Sequence, residues 1–144
     1  MADSLKVIRY QAAPSVAFGP LSDYRSLVSD DCPELAVRTG IQTCRPGYQA
    51  KPHWHPYVEI LHILDGTAEA WEVGQEQSRV TLEAGDTLVI PARTWHSFEV
   101  VGQETMRLLG THLSHQRIVH YEDGTTSVGT KPLVPGTRQR DASK

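Results

Sequence analysis

Regular alternation of apolar and polar side chains begins near residue 35. The odd positions from 35 to 43 carry the aliphatic residues Leu35, Val37 and Ile41, and the even positions include Arg38 and Gln42. A period of two over this length predicts a half-buried β-strand. Because the odd positions carry more apolar residues than the even ones, their side chains should face the interior. Arg38 would then lie in solvent or at a dimer contact; if the other face points inward, Arg38 could hold an anionic substrate.

Downstream, short apolar runs recur between turn signals such as Asp65-Gly66 and Gly74-Gln75. Strands are predicted at 53–55, 59–64, 67–73, 78–82, 87–90, 95–101 and 105–113. No stretch shows convincing helical periodicity. Many short strands separated by turns are typical of an antiparallel sandwich or barrel, so the sequence predicts an all-β protein.

The two ends of the chain differ from this centre. We expect an N-terminal arm over 1–34, in which 5–10 forms a short strand and 21–28 a short helical turn. The barrel core is predicted over 35–113. A C-terminal β-hairpin over 114–129 is indicated by Asp123-Gly124. The remaining 130–144, with scattered Pro, Gly and charged residues, is predicted to be a flexible tail.

Composition narrows the class of protein. A chain of 144 residues with a net charge of −3 suits a single domain and gives no reason to expect nucleic acid or an anionic membrane surface as a partner. No apolar run reaches the roughly 20 residues of a membrane span, and no signal peptide is evident, so we expect a cytoplasmic protein. Cys32 and Cys44 are isolated and are predicted to be reduced thiols.

Candidate chemistry is concentrated in the segment that follows the first strong strand. His53 and His55 stand two residues apart, so in an extended strand their side chains share one face. Glu59 has the same parity and can join them if Pro56 bends the chain back. Two imidazoles and a carboxylate that converge predict a first-row metal site with open positions. His96 is the candidate for a fourth ligand.

The same residues resemble the two motifs of the cupin superfamily, in particular its small single-domain bacterial members. The first motif is matched at every spacing by Gly47, His53, His55, Glu59 and Gly66. The second is matched by Gly85, Pro91 and His96. It departs at Arg93, where the family has glycine, and at Val100, where the family has asparagine. The resemblance covers about 35–113.

This resemblance implies a conical β-barrel of the jelly-roll type. It also implies that His53, His55, Glu59 and His96 bind one divalent transition metal, which in this family is Fe, Mn, Ni, Zn, Co or Cu. Such a site leaves positions for a small-molecule substrate, alone or with dioxygen. We expect an enzyme acting on a small oxygen-bearing molecule, with oxygenase-like chemistry favoured. A metal-dependent isomerase or lyase, and a non-catalytic protein that binds or senses a small molecule, stay open as alternatives.

Further residues near the motifs are weaker candidates. Tyr57 could place a phenol near the metal as an acid or lie at the rim. His112 could orient a ligand or donate a proton, although an exposed histidine at a strand end is the simpler interpretation. His62 has the opposite parity to Glu59 and is expected to face away. The outward positions of this strand carry Ile60, His62 and Leu64. A second copy of the chain would cover this face, so we expect a homodimer.

Overall fold

A computed structural model describes residues 4–129, and within them the chain forms two six-stranded antiparallel sheets with only two short 3₁₀ turns. The strands are β1 (Ser15–Ala17), β2 (Ser22–Ser26), β3 (Arg38–Cys44), β4 (His53–Trp54), β5 (Glu59–Asp65), β6 (Thr67–Glu72), β7 (Val80–Glu83), β8 (Thr87–Ile90), β9 (His96–Val101), β10 (Met106–His112), β11 (Ile118–Tyr121) and β12 (Thr126–Val128). None of the helical segments in this part of the chain is long and apolar enough to cross a bilayer. The fold is the predicted all-β jelly-roll barrel.

The order of strands places sequence-distant segments side by side. One sheet runs β1-β2-β3-β10-β5-β8 and the other runs β12-β11-β4-β9-β6-β7. β10 lies between β3 and β5, with Gly110 opposite both Gly40 and Leu61. β4 lies between β11 and β9, with His53 opposite His96. The first predicted motif is therefore divided between the sheets, with His53 in β4 and Glu59 in β5. His96 of the second motif lies opposite His53, in β9.

The core fills the space between the two sheets. Alternate residues of β5 and β10 point inward, and Ile63, Met106 and Leu108 are almost completely buried. From the other sheet, Phe98 and Val100 pack into the same cluster. Burying a large aliphatic side chain is worth roughly 1.5–3 kcal/mol. This cluster therefore holds the sheets together and fixes the positions of the strands that carry the polar residues.

The N-terminal residues depart from the sequence predictions. Residues 5–9 form no strand, and the segment predicted as a helical turn contains strand β2 instead. β2 pairs with β3 in antiparallel register, from Ser22 opposite Cys44 to Ser26 opposite Gly40. The pairing explains the error: a ladder with a neighbouring strand outweighs weak local helix preference.

The inward face of β3 is also the opposite of the one predicted. Arg38, Gly40, Gln42 and Cys44 are on the buried parity, and Leu35 is exposed. Arg38 is only 3% exposed, and its guanidinium donates to a carboxylate oxygen of Asp30 at 2.7 Å. Gln42 donates to the hydroxyls of Ser22 and Tyr48. These polar partners, which come from outside β3, allow the buried face to be polar.

Strands β11 and β12 form the hairpin predicted at Asp123-Gly124, in register from Ile118 opposite Val128 to His120 opposite Thr126. β11 then pairs with β4, so the hairpin extends the second sheet beside His53. The predicted tail, 130–144, lies outside the described residues.

Candidate metal centre

Four potential metal ligands from three parts of the chain meet inside the barrel. One donor atom from each of His53, His55, Glu59 and His96 lies within 4.8 Å of the others. His53 and His96 are paired across β4 and β9, His55 follows β4, and Glu59 is the first residue of β5 in the opposite sheet. The jelly roll thus brings together the four residues that the two motifs indicated.

Backbone carbonyls orient all three imidazoles. The Nδ1 atom of His53 lies beside the carbonyl oxygen of Lys51, that of His55 is 2.7 Å from Ile118 O, and that of His96 is 2.8 Å from Thr94 O. A carbonyl oxygen can only accept, so each Nδ1 carries the proton. The Nε2 lone pairs remain available to a metal ion, the arrangement usual for metal-bound histidine.

The carboxylate of Glu59 supports the same interpretation. Its Oε1 lies 2.9 Å from Nε2 of His55 and 3.3 Å from Nε2 of His96, yet it is buried and has no hydrogen-bond donor. With Nδ1 protonated, these contacts place lone pairs opposite one another. A buried acceptor without a donor is costly. A divalent cation among these atoms would satisfy the oxygen and both nitrogens, so the residues fit a metal ion.

Electrostatics disfavour protonation of two of the four residues, His53 and Glu59. Burial lowers the pKa of His53 well below its ordinary value, and the neighbouring imidazoles of His96 and His55 lower it further. Burial opposes the charged form of Glu59, but His55 and His112 outweigh it and hold the carboxyl pKa well below its usual range. The pKa of His96 is raised, because Glu59 outweighs the effect of burial. The group therefore presents the Glu59 carboxylate and a neutral His53 imidazole at neutral pH.

Two residues that the sequence left as weak candidates lie next to this group. Nε2 of His112 is 3.1 Å from Glu59 Oε2, and Nδ1 of His112 is 2.6 Å from the Tyr57 hydroxyl. Tyr57 also accepts the N–H of Ile118 at 3.1 Å. Burial raises the pKa of Tyr57 to about 12, so the phenol keeps its proton. Tyr57 can therefore donate to His112, and His112 to Glu59.

The simpler interpretation of His112, as an exposed strand-end histidine, is wrong: its side chain is 12% exposed. The ring of Tyr57 stacks on that of His55 with centroids 5.1 Å apart. The sequence could not reveal this arrangement, because the pairing of His112 with Glu59 depends on β10 lying beside β5.

The second motif's departure from glycine is visible in the backbone. Arg93 is the non-glycine residue with positive φ among those described, at 62°. That region favours glycine, the residue the motif has at this position. The N–H of Arg93 donates to the carbonyl of His55 at 2.7 Å. The turn therefore keeps the conformation of the motif, and it supports the backbone of a candidate ligand.

A cavity of about 480 Å³ opens over the four donors, within the range of small-molecule sites. Its wall includes aromatic rings, those of Phe18, Tyr24, Tyr48, Phe98 and Tyr121. Phe18 belongs to the predicted N-terminal arm, and Arg117 and Tyr121 come from the predicted C-terminal hairpin. Segments outside the two motifs thus shape the cavity, which sequence reasoning missed.

The remaining candidates lie outside this cavity. His62 faces away and its Nδ1 is 2.8 Å from the Thr87 hydroxyl. Trp54 stacks on His120 at 4.0 Å on the outer side. Cys44 is buried in the core cluster, where burial raises its thiol pKa to about 12, and both cysteines are free. Thr39 and Thr43 share the parity of Ile41, the face of β3 that was predicted to point inward, and neither lines the cavity.

Comparison with known proteins places these features in context. The family model described as a cupin domain matches residues 40–112, just over half of the chain. "Polyketide synthase CurC" of Streptomyces cyaneus is 34% identical over 76 residues, 52% of this chain and 47% of that protein. "Protein SchB" of Streptomyces halstedii is 34% identical over 70 residues, 49% of each. The chain thus spans about half the length of the curated relatives it matches.

Solved structures share the fold at low identity. A predicted oxalate decarboxylase from Thermotoga maritima has a TM-score of 0.66 and 20% identity, with 76% of this chain and 99% of that one covered. KdgF from Halomonas sp. has a TM-score of 0.62 and 14% identity, covering 76% and 94%. A chain of oxalate oxidase in complex with glycolate has a TM-score of 0.60 and 23% identity, with 72% of this chain and 56% of that one covered. At these identities the likeness shows the fold alone.

Proposed function

The chain belongs to the cupin family, and from this premise we propose that it is a metal-dependent enzyme acting on a small oxygen-bearing organic molecule. His53, His55, Glu59 and His96 would hold one divalent transition metal. The observation that carries the proposal is the set of three carbonyl-oriented imidazoles around Glu59 Oε1, a buried acceptor that lacks a donor. Fold alone would not support it, since one fold serves many functions.

The metal, when bound, would polarise a substrate oxygen or, if redox-active, react with dioxygen. The chain's own residues orient the site. Because His112 donates to Oε2 of Glu59, Oε1 is left to face the imidazoles. Tyr57 holds the tautomer of His112 through its hydroxyl. We propose that both act as positioning residues for Glu59.

Oxygenase-like chemistry is the first candidate for the reaction, since three histidines and one carboxylate would leave two positions open on an octahedral ion. A lyase or isomerase is the second. The solved relatives include proteins described as an oxalate oxidase and a predicted oxalate decarboxylase, so this fold accommodates both redox and non-redox chemistry.

For the substrate we propose an oxygen-rich molecule of the polyketide type. Support comes from the similarity to the protein named Polyketide synthase CurC and from the aromatic wall of the cavity. Aromatic side chains pack well against planar, conjugated molecules. A volume of about 480 Å³ is enough for one or two fused rings.

Elemental analysis of the purified full chain tests the metal site. We expect about one transition metal ion per chain, with the ion lost from a His53→Ala/His96→Ala double variant. His62→Ala is the matched control, because His62 faces away from the cavity, and it should keep the metal. Equal metal content in the double variant and wild type would refute the site.

Turnover then tests the reaction. The metal-loaded protein is incubated with polyketide-derived phenols and 1,3-diketones, with and without dioxygen, and products are identified by mass spectrometry. Oxygen incorporation that requires dioxygen supports the oxygenase. Conversion without dioxygen indicates a lyase or isomerase. Tight binding without turnover under any metal would favour the non-catalytic alternative and overturn the enzyme proposal.

We also propose that the protein is a homodimer. On the outer face of the first sheet, Val89 is 60% exposed and lies opposite Ile60 across β5 and β8. A second copy would cover this apolar face. Light scattering should give twice the chain mass for wild type and a monomer for Val89→Lys. A monomeric wild type at micromolar concentration would contradict the proposal.

A further inference from the structure

One arginine lines the cavity among the described residues, and the motifs did not indicate it. Arg117 precedes β11, and its carbonyl accepts the N–H of Gly129 at 2.7 Å, which ties its backbone to the residue that follows the second strand of the hairpin. Its guanidinium carbon lies 5.5 Å from the ring centroid of Phe18 on the facing part of the wall. The side chain is half-buried and is held at the cavity rather than extended into solvent.

Arg117 differs from those arginines of residues 4–129 that pair with a carboxylate. Arg38, Arg79 and Arg107 each form an ion pair with a carboxylate. Within residues 4–129, no ion pair involves Arg117, and its guanidinium lies against the ring of Phe18. A partly desolvated guanidinium without a carboxylate is a favourable position for an anion from outside.

The charges in the cavity favour the same class of ligand. Glu59 is the acidic residue among the described residues that line it, and its carboxylate is directed at the imidazoles. A divalent ion would exceed the charge of Glu59, so the loaded cavity would be positive.

We propose that Arg117 binds the carboxylate of the substrate, so that the enzyme acts on an oxygen-bearing organic acid whose second oxygen faces the metal centre. Guanidinium and carboxylate match in a planar, two-pronged geometry, which selects a carboxylate over a neutral amide. The aromatic wall would hold the carbon skeleton between these two ends. This inference rests on the proposed function, because it takes the metal centre as the second anchor.

The test uses 2-, 3- and 4-hydroxybenzoate as probes, with the three corresponding hydroxybenzamides as neutral isosteres. The three isomers sample different spacings between carboxylate and hydroxyl. Binding to the full chain, loaded with Zn²⁺ and with the metal content measured on each sample, is followed by calorimetry. The variants are Arg117→Gln and Arg117→Lys, and the matched control is Arg9→Gln, since Arg9 is exposed and does not line the cavity.

We expect at least one hydroxybenzoate to bind more tightly than its amide. Arg117→Gln should weaken the binding of that carboxylate by about 10- to 100-fold, the loss expected when a charged hydrogen bond is removed, and should leave the binding of the amide unchanged. The affinity of Arg117→Lys for the carboxylate should lie between those of wild type and Arg117→Gln. The affinity of Arg9→Gln should match that of wild type. Three carboxylates that bind no better than their amides, or that bind Arg117→Gln equally well, would overturn the inference. A chain that takes up no metal would instead refute the proposed function, and the two failures are therefore distinct.

Discussion

Nε2 of His112 lies 3.1 Å from Oε2 of Glu59, although the two residues are 53 positions apart in the chain. β10 brings them together by pairing with β5, where His112 is directly opposite Glu59. The contact occupies one carboxylate oxygen and leaves the other facing His55 and His96. The barrel therefore fixes the orientation of the one acidic residue of the candidate metal centre through a residue outside both motifs.

Replacing Tyr57 with phenylalanine should weaken this arrangement. The hydroxyl accepts the N–H of Ile118 and donates to His112, so its loss leaves a backbone donor and an imidazole nitrogen without partners. We expect a loss of about 1–3 kcal/mol in unfolding free energy and a 10-fold or greater loss in metal affinity. Denaturant titration and chelator competition measure the two. Tyr121→Phe removes a hydroxyl from the cavity wall and should change metal affinity little.

Binding of metal should stabilise the fold. At free metal about 1,000-fold above the dissociation constant, the gain is about 4 kcal/mol if the unfolded chain does not bind. Thermal melts with and without chelator should show this shift for wild type and for His62→Ala. In Glu59→Gln the shift should be much smaller, because the charged oxygen that faces the imidazoles is removed. An unchanged shift in Glu59→Gln would show that the metal stabilises the chain at another place.

The metal-free protein should lose stability in mild acid. Burial lowers the pKa of His112, so below about pH 6.5 the unfolded chain takes up a proton there that the folded chain does not. The unfolding free energy should therefore fall as pH decreases from 6.5, by up to about 1.4 kcal/mol per pH unit for each such group. His53, whose pKa is also lowered, acts in the same direction.

His96 acts in the opposite sense, because its raised pKa contributes stability that is lost as pH rises through the folded value above 6.5. The depressed pKa of Glu59 adds a further loss below about pH 4.5. Denaturant titrations between pH 4 and 8 with chelator present measure the profile, and His112→Gln should flatten the slope just below pH 6.5. An apo protein that becomes more stable from pH 6.5 to 5 would contradict this assignment.

Gly66 and Gly74 form a matched pair for backbone strain. Both have positive φ, but a Cβ on Gly66 would meet the carbonyl oxygen of Thr105 at 2.6 Å and Cα of Met106 at 2.7 Å. Nothing lies within 4 Å of a Cβ on Gly74. Gly74→Ala should cost about 1–2 kcal/mol for the left-handed backbone alone. Gly66→Ala should cost clearly more by denaturant titration, and equal costs would show that the β10 backbone can move aside.

Arg93 allows the reverse experiment. Since its φ is 62°, Arg93→Gly should be more stable than Arg93→Ala by about 1 kcal/mol, in spite of the greater chain entropy of glycine when unfolded. The comparison of the two variants isolates the backbone term, because both lose the same guanidinium. An alanine variant as stable as the glycine variant would indicate that this turn relaxes.

By itself the sequence determined the all-β class, the hairpin at Asp123-Gly124 and the four residues His53, His55, Glu59 and His96. The all-β class, the hairpin and the shared face of His53 and His55 follow from local information: a period of two and turn residues. Glu59 required a bend at Pro56, and His96 was indicated by the resemblance to the second motif. The structure brings one donor atom of each of the four residues together inside the barrel.

The tertiary structure alone decided which face of β3 is buried and that 22–26 forms a strand. It also placed His112 and Arg117 in the cavity wall and Tyr57 against His112. Each depends on a partner outside the strand concerned: Asp30 for Arg38, β3 for β2, and Glu59 for His112. A buried polar group is tolerated only where such a partner satisfies it. Packing against other strands and loops supplies those partners. The alternation of apolar and polar residues within one segment does not indicate which strands will pair.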